Sequence, residues 1–559
     1  MLRRRGFIVF VVMIVIVMIS LAGLSFVVSL SLENKAVHRQ GDQLQLDEAL
    51  ASGVELLKAF CGQSVQLRQE SGGTQDNAAT FGNLNMAPDG SSESALQVSI
   101  VAPHTDGRAG ETARFGLENE SARLHLGVLA EWERQVPDSA AAALLQLPGM
   151  TESTAAAILD WIDADGDPRP GGAETEYYAG QGLPYEPRNG VPALLEELLL
   201  IRDVGRQSLL GADADLDLPF DSDASRTVST GLAAGRQTDL PWGRLLTVYS
   251  AERNTTADGK PRINLNERDL SKLHAQLTEA LDQPWADFVI AYRQFGPADE
   301  ALAERPAKKD PWARAAKERG RMSRKLPNRK DDTQVDLSVP AKYDIECILD
   351  LVGAAVALPA KSSAAKVEPD ASEDELDALE DELDFPEDEP VASQDEPQTI
   401  LFCPLDDNAQ AVPEELPRLV DLTTTTDQPV LYGRVNINEA PRCVLLGVPG
   451  LDAAVVDRIL SLRETVADAS DLANRNALWL LTENLVDRPA MKALWPYVTG
   501  GGDVFRAQIV ARRSDTGRTA RAEVVVDGTV SPPRQVYWKN VTLLEGGVSD
   551  ESSLPAALD

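Results

Sequence analysis

The chain is 559 residues long and 43% hydrophobic, which allows three or four domains with substantial cores. Its 88 acidic and 53 basic residues give a formal net charge of −35 at pH 7. That charge argues against a surface that coats nucleic acid, because phosphate binding requires clustered cations. The four cysteines, Cys61, Cys347, Cys403 and Cys443, form no CxxC pair and no metal-finger spacing. One or two disulfides are compatible with this pattern outside the cytoplasm, but the spacing selects no pairing.

The N-terminus carries three arginines and Gly6, followed by an uncharged apolar run over residues 7–32. This run is too long for a cleaved secretory h-region, which has about 7 to 15 residues. It is long enough to span a bilayer as a helix, and the arginines before it place the N-terminus in the cytoplasm. Apolar and small residues then continue at helical spacing from Val37 to Leu57, which predicts one helix that leaves the membrane and runs on into solvent.

Two groups of predicted strands lie far apart in the chain. The first covers residues 95–102, 113–117 and 122–126, and the second covers residues 504–513, 519–526 and 535–544. Their alternating apolar residues predict one antiparallel sheet packed on the exposed half of the N-terminal helix. The helical segments between the two groups would be insertions, so the predicted fold class is α+β.

A short motif recurs three times, as RLHLG at residues 123–127, RINLN at 262–266 and RVNINEAP at 434–441. Its alternating apolar residues predict a short strand. The asparagines can hydrogen-bond the adjoining backbone and cap the helix that follows.

Two helix-hairpin-helix-like segments follow the first and third copies, at residues 144–162 and 444–464. Pro148-Gly149 and Pro449-Gly450 break each pair of helices at a turn that needs a residue with positive φ. Such a turn either presents its amides to a DNA phosphate or is only a compact packing unit. Acids follow both turns and no lysine lies in either, which favours packing.

An acidic loop follows the first hairpin, in the sequence DWIDADGDPRPGGAETEYY. Carboxylates converging from a tight loop suit a hard cation such as Ca²⁺ better than Mg²⁺. The candidate ligands are Asp163, Asp165, Asp167, Glu174 and Glu176. The loop lacks the glycine and glutamate spacing of an EF-hand. The alternative is that Asp163 only ends the helix and the other acids are solvated.

The segment FGLENESARLHL, the first hairpin, the acidic loop and the following LPYEPRNGVPALLEELLLIRDV resemble the general secretion pathway protein K family over about residues 115–204. Together with the leader and the third motif copy with its hairpin, the resemblance covers about half of the chain. The resemblance implies a pilin-like fold with a large inserted helical domain that binds calcium. It also implies cleavage by a prepilin peptidase after Gly6 and methylation of Phe7. Most pilin-like subunits have a glutamate at the fifth mature position. That position is Val11 here, and the resemblance implies that a subunit at the fibre tip lacks this glutamate. His125 replaces the family's usual asparagine.

The predicted division of the chain combines these observations. It consists of a leader (1–6), a transmembrane helix (7–32), a pilin-like helix with the first strands (33–130), an inserted helical domain (131–303), a charged flexible insertion (304–400), a second helix-hairpin-helix-like unit (401–500), C-terminal strands (501–546) and a flexible tail (547–559). The insertion is predicted to be flexible because it contains a basic and an acidic block, each poor in apolar residues.

The predicted function is a minor pseudopilin at the tip of the type II secretion pseudopilus, which initiates assembly and aids export of folded proteins across the outer membrane. Its predicted partners are the other minor pseudopilins, the major pseudopilin, prepilin peptidase, secreted cargo and the inner membrane, with the bulk of the chain in the periplasm and no nucleic acid bound. The alternative is a membrane-anchored DNA receptor or a minor type IV pilin for DNA uptake. No enzyme is predicted, because the four histidines and the loop carboxylates form no catalytic pattern.

Overall fold

The computed structural model describes residues 5–86, 96–103, 113–211, 240–298, 335–358, 399–405, 412–466 and 472–542. Most of the predicted charged insertion and all of the predicted tail lie outside these residues. The helices are α1 (Arg5–Cys61), α2 (Val65–Glu70), α3 (Ala78–Phe81), α4 (Leu129–Gln135), α5 (Ser139–Leu145), α6 (Glu152–Ile162), α7 (Thr175–Gly180), α8 (Arg206–Leu210), α9 (Leu270–Ala280), α10 (Gln283–Phe295), α11 (Val412–Leu422), α12 (Arg442–Leu446), α13 (Ala453–Val466), α14 (Leu472–Arg475), α15 (Trp479–Thr482) and α16 (Arg488–Leu494).

The strands are mostly short. They are β1 (Leu84–Asn85), β2 (Leu96–Pro103), β3 (Ala113–Phe115), β4 (Glu118–Asn119), β5 (Leu124–His125), β6 (Leu246–Thr247), β7 (Ala251–Arg253), β8 (Ile263–Asn264), β9 (Ala355–Leu358), β10 (Thr399–Phe402), β11 (Thr423–Thr424), β12 (Val430–Tyr432), β13 (Val435–Asn436), β14 (Val498–Thr499), β15 (Val504–Arg513), β16 (Thr519–Asp527) and β17 (Arg534–Asn540). The chain divides into two compact units, residues 1–260 with 428–559 and residues 261–427.

The first unit contains the sheet that the sequence predicts. Seven antiparallel strands form it, in the order β1-β2-β15-β16-β17, with β3 also on β2 and β4 also on β15. The early strand β2 therefore lies beside the late strand β15, with Ile100 opposite Ile509. This pairing closes the sheet across the helical segments and confirms the predicted α+β class.

The C-terminal half of α1 packs on this sheet. Leu46, Leu50, Val54 and Leu57 recur at helical spacing and are almost fully buried in one core with the sheet residues. Gly53 lies where the sheet comes closest, since a Cβ there would stand 2.6 Å from Cγ2 of Ile509. Burying such a leucine contributes about 1.5–3 kcal/mol, so this stripe accounts for the docking of helix on sheet.

One predicted strand does not join the sheet. The sequence places residues 122–126 there, but β4 (Glu118–Asn119) takes that position beside β15. A 3-10 turn over Glu120–Ala122 follows, and the Asn119 side chain accepts a hydrogen bond from the Ser121 amide at 2.9 Å. The turn directs β5 away from the sheet, and β5 pairs in parallel with β6 instead.

The three motif copies adopt one repeated structure. In each copy a two-residue strand pairs in parallel with a later two-residue strand, so that His125 faces Thr247, Asn264 faces Thr424 and Asn436 faces Thr499. The His or Asn side chain accepts a hydrogen bond from the amide two residues on, at 2.9, 2.9 and 3.0 Å. This confirms the predicted bonding to adjoining backbone, with Nδ1 of His125 replacing an asparagine oxygen.

The partner half of the repeat was not apparent from the sequence. Each facing threonine also accepts a hydrogen bond from the amide two residues on, namely Tyr249, Thr426 and Gly501. The arginine that opens each motif donates to a backbone carbonyl just before that threonine, at Gly243, Asp421 and Trp495. Each partner strand is only an apolar residue followed by threonine, and it lies about 60 to 160 positions from its motif copy. So short and distant a pattern cannot be detected without the structure.

The second unit is built around the second copy of the repeat. Its helices α9 and α10 follow β8 and pack on each other, and Leu273, Phe288 and Ile290 are fully buried. The two-stranded antiparallel sheet of β9 and β10 lies against α10. The predicted domain boundaries at 131, 303 and 401 remain predictions beside this two-unit division.

Candidate functional site

The acidic loop begins at the end of α6 and is organised by Asp160. This aspartate lies on the buried side of α6 and has no exposed surface. Its carboxylate accepts hydrogen bonds from the amides of Arg169 at 3.2 Å and Ala173 at 2.8 Å. A Cβ on Gly172 would overlap that carboxylate, so glycine is required for the loop to close over it. Asp160 thereby fixes the path of residues 163–173.

The five predicted metal ligands do not share one environment. Asp165, Asp167 and Glu176 are exposed, whereas Asp163 is half-buried at the C-terminal cap of α6 and Glu174 is 3% exposed. Among the described residues, no group of three or more His, Cys, Asp or Glu side chains is arranged to hold a metal ion. The structure therefore brings Asp163 and Glu174 toward Asp160 and leaves the other three predicted ligands in solvent.

Asp163 and Glu174 have buried carboxylate oxygens that lack hydrogen-bond donors within the described part of the chain. Oδ1 of Asp163 and both carboxylate oxygens of Glu174 are buried without a hydrogen bond of good geometry in the described structure. Burial, followed by the charges of Asp160 and Asp163, raises the pKa of Glu174 despite the neighbouring Thr175 amide. Burial also raises the pKa of Asp163, against its interaction with Arg169. The pattern of acids in the sequence did not indicate this burial, which is the largest cause of both pKa shifts.

Arg169 supplies the positive charge in this cluster. Its Nη1 atom contacts Oδ1 of Asp160 at 3.0 Å and also forms an ion pair with Oδ2 of Asp163. One guanidinium cannot neutralise three carboxylates, and Glu174 makes no contact with it in the described structure. Buried carboxylate oxygens without donors suit a hard cation, but Asp163 and Glu174 alone fall short of the roughly six to eight oxygen ligands that Ca²⁺ takes.

Aromatic side chains support the loop from behind. Trp161 packs edge-on against Tyr178, with ring centroids 5.6 Å apart. The indole Nε1 of Trp161 donates to Glu197 at 3.1 Å, and the neighbouring Glu196 accepts a 2.6 Å hydrogen bond from Tyr537 on β17. The acidic loop is thus connected through residues 196–197 to the edge of the seven-stranded sheet.

The two hairpin turns show how their helix N-termini are capped. Thr151 accepts a hydrogen bond from the Thr154 amide at 3.1 Å, and Asp452 accepts one from the Val455 amide at 2.8 Å. A phosphate bound at these helix N-termini would need the same amides, which here donate to side chains of the protein. The α5 and α12 ends of the two hairpins also meet, since a Cβ on Gly447 would lie 3.2 Å from the Ala143 backbone. The two hairpins therefore pack on each other, and their assignment as helix-hairpin-helix units remains a prediction.

The N-terminal half of α1 is the second functional region. Gly6 and Phe7 lie in its first turn, and the large apolar side chains from Val9 to Leu32 are exposed, with Val11 42% exposed. It is the one helix among the described residues that is long and apolar enough to cross a membrane, with a mean hydropathy of 2.9. An exposed apolar helix that continues onto an antiparallel sheet is the arrangement expected of a membrane-anchored α+β protein.

Comparison with known protein families finds a match to a segment of the first unit. Residues 122–210 match the family model described as type II secretion system (T2SS), protein K. The match covers the first motif copy, the first hairpin and the acidic loop, so this segment is similar to the type II secretion protein K family. Searches of curated proteins and of solved structures each found no match. The match links this segment to type II secretion, in agreement with the predicted resemblance.

Proposed function

We propose that the chain is a minor pseudopilin that occupies the tip of the type II secretion pseudopilus and initiates its assembly without enzymatic turnover. The observation that carries this proposal is the single helix α1, whose apolar half is exposed while its other half is buried on the sheet. A subunit of this shape can lie in the inner membrane and later pack the same apolar surface against neighbouring helices. Its partners would be the other minor pseudopilins and the major pseudopilin.

Val11 supports the position at the tip. Counting from Phe7, it occupies the fifth position, where most pilin-like subunits carry a glutamate that interacts with the subunit above. An apolar side chain at this position suits a subunit that has none above it. The proposal includes cleavage by prepilin peptidase between Gly6 and Phe7, methylation of Phe7, and contact between the folded part and secreted cargo in the periplasm.

Secretion in a deletion strain tests this function. Loss of the chain should leave folded export substrates in the periplasm, and the wild-type chain should restore their release. The variant Gly6→Val should not restore it, because the leader would remain attached, whereas Gly23→Ala in the same helix should. Normal secretion without the chain would overturn the proposal.

We further propose that the acidic loop binds Ca²⁺, with Asp163 and Glu174 as the inner ligands and Asp165, Asp167 and Glu176 recruited from solvent. A bound cation would neutralise the carboxylates that Arg169 leaves unbalanced and would hold the loop closed. Calcium should raise the thermal unfolding temperature of the full-length protein in detergent relative to EDTA. Glu174→Gln should abolish that increase, and Glu186→Gln, at an exposed acid of the same segment, should not. Equal unfolding temperatures of the wild type in Ca²⁺, Mg²⁺ and EDTA would refute the site.

A further inference from the structure

The four cysteines are distributed between the two compact units in pairs. Cys61 and Cys443 belong to the first unit, and Cys347 and Cys403 belong to the second. All four are in the thiol form in the structure. Inside the second unit, Cys347 and Cys403 are 4% and 1% exposed, so both side chains lie in its core. The sequence offered no basis for pairing, whereas burial in the same compact unit makes Cys347 and Cys403 candidates for one.

Cys403 lies at the end of the hairpin formed by β9 and β10. Its amide donates a 2.8 Å hydrogen bond to the carbonyl of Ala354, which precedes β9. Two residues further on, the Leu405 carbonyl accepts a hydrogen bond from the Gly353 amide at 3.3 Å. Residues 403–405 therefore run directly beside residues 353–354.

Cys347 approaches the same place from the other side of a short turn. It is the N-cap of the 3-10 turn Ile348–Leu351, and its carbonyl accepts a 3.0 Å hydrogen bond from the Asp350 amide. A second bond, from the Ala354 amide to the Leu351 carbonyl at 3.2 Å, curls the chain back at the start of β9. Cys347 therefore precedes, by one compact turn, the Ala354 carbonyl to which the Cys403 amide donates.

We infer that Cys347 and Cys403 form a disulfide in the exported protein. The reaction joins their two Sγ atoms, releases two protons, and transfers two electrons to the disulfide of a thiol oxidoreductase, which becomes a dithiol. Disulfides of this kind persist in the bacterial periplasm. The bond would close the loop of residues 347–403, which contains the whole connection between β9 and β10, and would hold that two-stranded sheet together.

This inference depends on the proposed periplasmic location, and the experiment separates the two. Full-length protein is isolated from membranes, denatured in N-ethylmaleimide, and weighed intact with and without prior reduction. We expect two labels without reduction, on Cys61 and Cys443, and four labels after it. Peptide mapping without reduction should yield one cross-linked species that joins the peptides containing Cys347 and Cys403.

Variants and a topology assay complete the test. Cys403→Ser should expose Cys347 to labelling and give three labels without reduction, whereas Cys61→Ser should remove one label and leave the cross-link intact. Four labels on unreduced wild-type protein, in spheroplasts where added protease digests the folded part, would overturn the disulfide alone. Four labels together with protection from protease would place the chain in the cytoplasm, which would overturn both the disulfide and the proposed function.

Discussion

Gly53 of α1 lies so close to Ile509 of β15 that a methyl carbon added at Gly53 would stand 2.6 Å from Cγ2 of Ile509. This contact lies in the middle of the helix–sheet interface, next to Val98 of β2. Since β2 and β15 come from opposite ends of the folded chain, Gly53 sets the distance at which the helix packs on both.

Alanine at two glycines of α1 should therefore have opposite effects. At Gly41 nothing lies within 4 Å of an added Cβ, so Gly41→Ala should stabilise by about 0.5–1 kcal/mol through helix propensity. At Gly53 overpacking costs about 1–3 kcal/mol and outweighs that gain, so Gly53→Ala should lower the free energy of unfolding. Urea denaturation of both variants measures the difference. Stabilisation by Gly53→Ala would show that the helix does not pack as described.

Acid should destabilise the first unit through Glu120. Burial alone would raise the pKa of Glu120, but Arg506 and Arg123 outweigh it and lower the pKa from 4.5 to about 2. A lowered carboxyl pKa stabilises the fold above the unfolded-state value, and this contribution is lost as the pH falls toward about 2. The loss should be on the order of 3 kcal/mol.

Denaturation between pH 7 and pH 2 tests that contribution. Glu120→Gln should be less stable than wild type at pH 7, because it removes one of the two carboxylates that pair with the buried Arg506. The difference should narrow as the pH falls, since protonation neutralises Glu120 in the wild type. A difference that stays constant over the whole range would contradict the assigned pKa.

His125 should give a separate pH dependence. Burial lowers its pKa from 6.5 to about 4, although a backbone hydrogen bond involving Val248 and the Glu120 charge oppose the shift. The neutral ring stabilises the fold above pH 6.5, and this contribution is lost as the pH falls toward 4. His125→Asn retains an acceptor for the Gly127 amide and removes the titration. The variant should gain stability relative to wild type between pH 6.5 and 4, and an unchanged difference would refute the buried neutral histidine.

The side chains that cap the hairpin helices should contribute to stability and not to DNA binding. Thr151→Ala and Asp452→Ala each remove a side-chain acceptor at a helix N-terminus and should cost about 0.5–2 kcal/mol. The full-length protein should not shift labelled duplex DNA at physiological salt, with or without these substitutions. A shift by the wild type that the substitutions alter would support the DNA-receptor alternative.

Periodicity in the sequence was sufficient to predict the long N-terminal helix, its packing stripe and the long strands of the sheet, because long elements repeat their pattern many times. The predicted strand at residues 504–513 coincides with β15. The partner strands of the motif copies were missed, since a two-residue strand such as Val498–Thr499 gives no periodic signal. In the acidic loop the exposed aspartates were conspicuous, whereas Asp160 was overlooked because it lies within an apolar helix. Only the fold shows that it closes the loop.

The most direct test of the central claim is quantitative mass spectrometry of the tagged full-length chain purified from cross-linked membranes of its own host. The account predicts a mature N-terminus at a methylated Phe7 and stoichiometric co-purification of other subunits that carry a cleaved basic leader and a long apolar N-terminal helix. Gly6→Val, expressed at the same level, should lose these subunits. An intact leader on the wild-type chain, with no such subunits recovered, would contradict the account.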